Sequence, residues 1–404
     1  MKQAVMYGGG NIGRGFIGAL FSQSGFEVTF IDVVDAVVKE LQEKRSYPLR
    51  FVTSAGNEDV LVENVTAVNG NDAAAAAEVI ANCDIMATAV GARILKFIVP
   101  NIVAGIRRRW ELGKGPLNII ICENLMDANK VVEGMIKAQL TEEEIKKFDE
   151  TVGLVEASIG RMVPVQTDEM KDGEPLRVCV EHYGFLPVDK AAFKGEIPEI
   201  KNMVPFDPFD FYIKRKLYIH NMGHATCAYL GGFNGRKYIW QSIDDPDILY
   251  LVQNAMLDSA VALSKKYGVS LDAILPHITD LLGRFRNQSL KDTCQRVGGD
   301  PVRKLGRDDR LIGSALLAME QGIEPYYIAL GAAGALYRQL NETGKEQTQE
   351  NAEETLCEIS GLAADHALVR MILNLYVLFQ NGETPAVMRK AVQELKTGSL
   401  KDVI

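Results

Sequence analysis

Lys2-Gln-Ala-Val-Met-Tyr-Gly8-Gly-Gly-Asn-Ile-Gly-Arg-Gly-Phe-Ile-Gly18 is the stretch from which the fold can be read. Ala4 to Tyr7 is a short apolar run with the character of a buried strand. Three glycines follow, and then Ile12, Phe16, Ile17, Leu20 and Phe21 recur at helical spacing. Gly8, Gly10 and Gly13 fit G-x-G-x-x-G: the first permits a tight bend, the second lets a pyrophosphate approach the backbone, and the third lets helix and strand pack closely. The unpaired N–H groups at the helix start, around Asn11, Ile12 and Gly13, then face phosphate charge.

Outward from this turn, a second apolar run, Val28 to Ile31, ends in Asp32. That places a carboxylate about 20 residues beyond the glycines, where it accepts hydrogen bonds from an adenosine ribose and repels a 2′-phosphate. NAD is therefore expected rather than NADP. The bland alternative is a doubly wound domain whose switch point holds nothing. A further run, Cys83 to Val90, puts Thr88, Ala89 and Val90 at the carboxyl ends of the strands, the edge where open sheets bind ligands. Strands are predicted at 3–7, 27–31, 49–53, 60–67, 84–88, 117–121 and 152–157, with helices between most of them, notably 72–82 and 92–112. The expected class is α/β: a Rossmann-type doubly wound sheet over residues 1–157, followed by a mainly helical domain.

Residues 158–208 are punctuated by six prolines and read as a connector with short strands such as 176–183. From 209 to 404 helical spacing dominates, at 209–231, 245–266, 311–320, 326–340, 352–359 and 362–379. This second domain is expected to carry substrate and catalysis, with the cleft between domains as the usual place for a small ligand.

Composition removes several classes of function. The net charge of −9 argues against a nucleic-acid or anionic-membrane surface. Six single cysteines form no C-x-x-C pair, so neither a zinc ribbon nor a disulfide framework is suggested. His220 and His224 are four apart but lack further ligands in sequence, and no metal is expected. No apolar run approaches the roughly 18 residues of a membrane span, and the N-terminus enters the first strand directly. A cytoplasmic location is the expectation, with a small-molecule partner and a monomer or homodimer.

The chemistry-bearing cluster of the second half is Lys216-Leu-Tyr-Ile-His-Asn221-Met-Gly-His224. On an α-helix, Lys216, His220 and His224 fall within roughly 80° of one another, with Asn221 about 60° further on. A desolvated lysine could remove a hydroxyl proton, and an asparagine amide could hold the developing alkoxide. Taken alone, a solvated lysine and a core histidine explain the same residues. Asn124 follows the apolar run 117–121 and sits just beyond a strand's carboxyl end, although it could equally satisfy loop backbone.

Gly8 to Gly18, Cys122-Glu-Asn124-Leu, Arg161-Met-Val-Pro164, Lys216 with Asn221 and His224, Arg284-Phe-Arg-Asn287 and Arg303-Lys-Leu305 together resemble the polyol-specific long-chain dehydrogenases, the mannitol dehydrogenase family. The likeness runs through nearly the whole chain in order. It implies metal-independent hydride transfer between a secondary alcohol and nicotinamide. Lys216 would be the general base, Asn221 and Asn124 the amides that polarise the reacting oxygen, and His224 the residue that orients substrate. Two positions depart from the family pattern: Gly160 stands where an aspartate usually precedes Arg161, and Gln288 where a proline is common.

Between Arg284 and Arg310 eight basic residues face four acidic ones. Such a cluster could clamp a phosphate, with Arg296, Arg303 and Lys304 as the chosen contacts, or it could be a set of ion pairs. The resulting expectation is NAD-dependent interconversion of D-mannitol 1-phosphate and D-fructose 6-phosphate. The alternatives are a hexuronate reductase, a free-mannitol 2-dehydrogenase and, outside enzymes, an NAD-sensing scaffold.

Overall fold

In the first strand, β1 (Lys2–Tyr7), Ala4 and Met6 join one apolar cluster while Val5 and Tyr7 join another. Successive side chains point to opposite faces, so a strand apolar from Ala4 to Tyr7 must be covered on both sides. The sheet built around it is parallel and six-stranded, in the order β5-β2-β1-β6-β7-β8. Its other members are β2 (Phe26–Asp32), β5 (Val65–Asn69), β6 (Ile85–Thr88), β7 (Leu117–Ile121) and β8 (Val152–Glu156). Strand order reverses between β1 and β6, where Tyr7 lies opposite Thr88. The glycine turn thus leaves β1 at the switch point.

The structure, a computed structural model, describes residues 1–53, 55–125, 127–164 and 166–400, with backbone alone at 399 and 400. The chain divides into two units, Met1–Asp210 and Phe211–Ile404.

In the first unit the strand expected over 60–67 is two strands. β4 (Gly56–Glu63) and β5 are separated by Asn64, whose φ of 57° breaks the extended chain. Only β5 joins the parallel sheet. β4 pairs antiparallel with β3 (Ser46–Thr53), and β3 pairs parallel with β9 (Val178–Val180) in a separate three-stranded sheet. A run of apolar and β-branched residues states that a strand exists, not which sheet takes it. The segment read as a connector lies within this first unit. β9 completes that smaller sheet, and β10 (Leu186–Asp189) pairs with β11 (Met203–Phe206).

The second unit is helical. Its long helix Pro246–Tyr267 starts at an Asp245 side chain that accepts from the N–H groups of Asp247 and Ile248, and it ends at left-handed Gly268. Such caps stop a helix cleanly. Helix Tyr326–Thr343 lies against helix Met222–Phe233 where Gly331 leaves room for Thr226, since a Cβ at Gly331 would come within 2.3 Å of the threonine hydroxyl. Helix Leu271–Phe285, which carries Pro276 inside it, was absent from the predicted set. Among the described residues no helix is long and apolar enough to cross a membrane.

Candidate active site

The glycine turn in the first unit is built by contact distances. Gly8 has φ +102°, and a Cβ on it would meet the Ala89 carbonyl oxygen at 2.5 Å. A Cβ at Gly13 would meet the Gly8 oxygen at 1.8 Å, so only glycine lets the helix start this close to β1. A Cβ on Gly10, which is exposed, would meet nothing within 4 Å. The helix that follows begins at Asn11 and passes through a π-helical stretch, Gly13–Ile17, before continuing as α-helix to Gln23.

Asp32 lies at the end of β2. Its Oδ2 accepts from Gly9 N–H at 2.7 Å and its Oδ1 from Val34 N–H at 2.9 Å. The carboxylate therefore ties the glycine turn to β2, while each oxygen keeps acceptor capacity. Arg14 braces the same turn from within: its Nε donates to the Gly9 carbonyl at 2.6 Å, and another guanidinium N–H donates to the Leu176 carbonyl. Arg161 donates to the Gly15 carbonyl at 2.7 Å and lies 4.5 Å over the Phe16 ring.

On the other side of the switch point, buried Glu123 accepts from Val90 N–H at 3.0 Å and from Gly91 N–H at 2.7 Å. One carboxylate thus holds the loop after β6 to the loop after β7, directly before exposed Asn124. In the sequence Glu123 stands inside Cys122-Glu-Asn124-Leu with no task of its own. The available signal was a carboxylate placed between a buried strand and an exposed amide, at a strand's carboxyl end. Thr88 is fully buried, and its hydroxyl has no partner among the described residues. The open space at Gly10, this unpartnered hydroxyl and the Asp32 carboxylate fit a dinucleotide, with a diphosphate at the turn and a ribose at Asp32.

In the second unit Lys216–Asn221 is a π-helical turn set between the helices Asp210–Arg215 and Met222–Phe233. The Met222 N–H reaches back five residues to the Leu217 carbonyl. This corrects the α-helical geometry expected for the motif. In α spacing Asn221 lies about 140° around the axis from Lys216, whereas an i→i+5 register returns position i+5 towards the same side one turn on. The widened turn thus favours lysine and amide on one side of the helix. Lys216, Asn221 and His224 are half-buried, and His220 is buried. Gly223 lets this segment sit on helix 246–267, since a Cβ there would meet the Met256 side chain at 2.7 Å.

His224 Nε2 lies 3.3 Å from Asp292 Oδ2, and its ring stacks on Phe285 with centroids 4.7 Å apart. Burial pushes the Asp292 carboxyl up, but the hydrogen bond and charge of His224 and the neighbouring Arg296 outweigh it and hold the group below the usual carboxylate range. Burial, reinforced by Arg284, His224, His277 and Lys216, keeps His220 well below the usual histidine range, so it is neutral. In the sequence Asp292 is one acid among the basic residues of 284–310.

Three of that loop's cations are paired within it. Arg296 pairs with Asp292, Arg303 with Asp300 at 2.8 Å and Arg310 with Asp309 at 2.7 Å. Arg296 and Arg303 are exposed. Lys304 is not: it is buried, its amine is bonded to the Gly299 carbonyl, and burial with Arg310 and Arg303 nearby lowers it to about 8. Its place among the substrate contacts is corrected, because a lysine turned inward onto a backbone carbonyl braces the loop.

The family model for the mannitol dehydrogenase Rossmann domain matches residues 2–202, and that for the mannitol dehydrogenase C-terminal domain matches residues 209–397. The chain belongs to the mannitol dehydrogenase family. Within that family it is 36% identical to the mannitol-1-phosphate 5-dehydrogenase of Brevibacillus brevis over 91% of this chain and 96% of the relative. It is also 36% identical to the enzyme of that name from Bacillus licheniformis, over 92% and 98%. Among solved structures, a D-sorbitol dehydrogenase shares the fold with a TM-score of 0.81 at 15% identity, over 95% of this chain and 94% of that one. The Pseudomonas fluorescens mannitol 2-dehydrogenase, solved with NAD and D-mannitol, has a TM-score of 0.73 at 15% identity, over 97% and 94%.

The family pattern also frames the departure at Gly160. A Cβ there would lie 2.9 Å from the Tyr183 ring and 3.3 Å from its hydroxyl, so Tyr183 fills the space that an aspartate side chain needs.

Proposed function

We propose that this member of the mannitol dehydrogenase family is an NAD-dependent oxidoreductase that interconverts D-mannitol 1-phosphate and D-fructose 6-phosphate. The observation that carries the reading is the π-helical turn Lys216–Asn221, whose register favours lysine and amide on one side, beside a His224 braced by Asp292. Two relatives named for this activity, alike along nine-tenths of the chain, support the choice of substrate.

The glycine turn, Asp32 and the 88–90 segment hold the dinucleotide, which when bound accepts or supplies the hydride. Lys216 takes the substrate hydroxyl proton in oxidation and returns it in reduction. The Asn221 and Asn124 amides donate to the reacting oxygen as its charge develops. His224, held by Asp292 and Phe285, orients the substrate hydroxyls. Arg296 and Arg303, two of the exposed cations of the basic loop, receive the phosphate. A neutral polyol is the second reading, because both arginines already carry an aspartate partner.

The test is the loss of 340 nm absorbance with purified protein and NADH, offered fructose 6-phosphate, free fructose or a keto-hexuronate. Turnover of fructose 6-phosphate is expected, falling by about 10²–10⁴ in Lys216→Ala. Preference for free fructose would keep the mechanism and overturn the phosphate assignment. Turnover undiminished in Lys216→Ala would remove the base.

A further inference from the structure

A cavity lies wholly within the second unit, between helix Met222–Phe233, helix Tyr326–Thr343 and the short helix Cys294–Val297. It has a volume of about 430 Å³, within the range of small-molecule sites. None of Lys216, Asn221 and His224 lines it.

Its construction is selective. Gly232 and Gly334 form part of the wall; a Cβ on Gly334 would press on Phe379 and Tyr229 at 3.0 Å, so this glycine lets the aromatic side pack closely. Phe233 and Tyr337 stand edge to face with centroids 5.1 Å apart and give it an aromatic side. Tyr229 completes that side, and its buried hydroxyl has no partner among the described residues. Three cations, Arg236, Lys237 and Arg338, line the cavity, and among the described lining residues there is no carboxylate. Arg338 is fixed in place: it donates to the carbonyls of Cys294 at 3.3 Å and Gln295 at 3.1 Å, and to Glu342 at 2.7 Å. Arg236 and Lys237 are exposed, with Arg236 only loosely paired to Asp245 at 3.4 Å.

An aromatic wall beside a cluster of cations recognises one kind of ligand: a flat ring stacked on the aromatic side, with an anionic head held by guanidinium and ammonium groups. We propose that this cavity is a binding site for a small planar aromatic anion, an aryl phosphate or aryl carboxylate, separate from the residues that carry hydride-transfer chemistry. The proposal does not depend on which sugar the protein turns over.

The test is calorimetric titration of the full-length protein, saturated with NADH so that the glycine-turn site is occupied, using phenyl phosphate, benzoate and inorganic phosphate as probes. Phenyl phosphate is expected to bind at least tenfold more tightly than inorganic phosphate, with benzoate between them. The double variant Arg236→Glu/Lys237→Glu, altered only at exposed positions, is expected to weaken phenyl phosphate at least tenfold while keeping its melting temperature. Asn341→Trp, at another exposed lining position, plugs the cavity without touching charge and should abolish binding. Equal affinity for phosphate and phenyl phosphate would remove the aromatic half of the proposal. Binding unchanged in both variants would place the ligand elsewhere and overturn it, as would the absence of binding to the wild-type protein.

Discussion

Gly10 and Gly13 stand three residues apart in one turn, and their surroundings give them opposite tasks. A Cβ on Gly13 collides with the Gly8 carbonyl, while a Cβ on Gly10 meets only open space. Gly13→Ala should therefore lower stability by about 1–3 kcal/mol or more, the usual cost of overpacking, seen as a fall in melting temperature without ligand. Gly10→Ala should melt with wild type and lose NADH affinity, because its methyl group enters the space a diphosphate needs. Equal melting temperatures for the two variants would contradict this division. At the same scale, Asp292 holds His224, and hydrogen bonds to charged groups contribute about 1.5–3 kcal/mol. Asp292→Asn should cut kcat/KM by roughly tenfold to a hundredfold, and in a His224→Ala background the same change should add little, since the histidine it acts through is already gone. Asp32 was legible because its distance from the glycines is a property of sequence. Glu123 and Asp292 were not, because their partners lie on segments that only tertiary structure brings near.

The π-helical turn at Lys216–Asn221 is the element on which the catalytic reading rests, and sequence periodicity could not reveal it. The residues match an α-helical pattern closely enough that one extra residue per turn leaves no signature. A π turn is equivalent to one inserted residue absorbed locally, so the flanking helices keep their register if that residue is removed. Deletion of Leu217 should restore α-helical hydrogen bonding and leave Lys216 and Asn221 four residues apart, about 40° around the axis and still on one side. The expected result is a melting temperature within a few degrees of wild type with turnover retained in part, whereas Asn221→Ala should cost about 10²–10³ in turnover, as for removal of a donor to the reacting oxygen. Turnover lost as completely in the deletion as in Asn221→Ala would show that sharing a side of the helix is not what the pair requires. Gly160 makes the complementary case for a loop. Gly160→Asp restores the family pattern in sequence but meets Tyr183, so it should destabilise the protein by about 1–3 kcal/mol, and Tyr183→Ala in the same chain should recover part of that loss.

For the whole molecule, the doubly wound sheet and the helical second half were legible because strand–helix alternation and glycine chemistry are local signals. The β3-β4-β9 sheet was not: β9 joins β3 from about 130 residues away, and no local pattern records such a pairing. Buried titratable groups are also set by the assembled fold, and in the two units they pull stability in opposite directions with pH. In the second unit burial, with Arg215 and Arg284 adjacent, lowers His277 from 6.5 to about 3. Below 6.5 the unfolded chain takes up a proton that the native one refuses. The stability His277 contributes is therefore full above 6.5 and lost as pH falls towards 3, by at most about 1.4 kcal/mol per pH unit. In the first unit burial raises Glu156 from 4.5 to about 7; Asp127, Asp189 and Asp210 add to the rise and Lys130 opposes it. Here the native chain keeps a proton that the unfolded one has released, so stability is full below 4.5 and lost as pH rises to 7. Melting temperatures at pH 7.5, 6 and 5 separate the two. Relative to wild type, His277→Gln should gain on acidification and Glu156→Gln should lose. Differences that stay flat across this range for both variants would mean that neither group changes its proton affinity on folding.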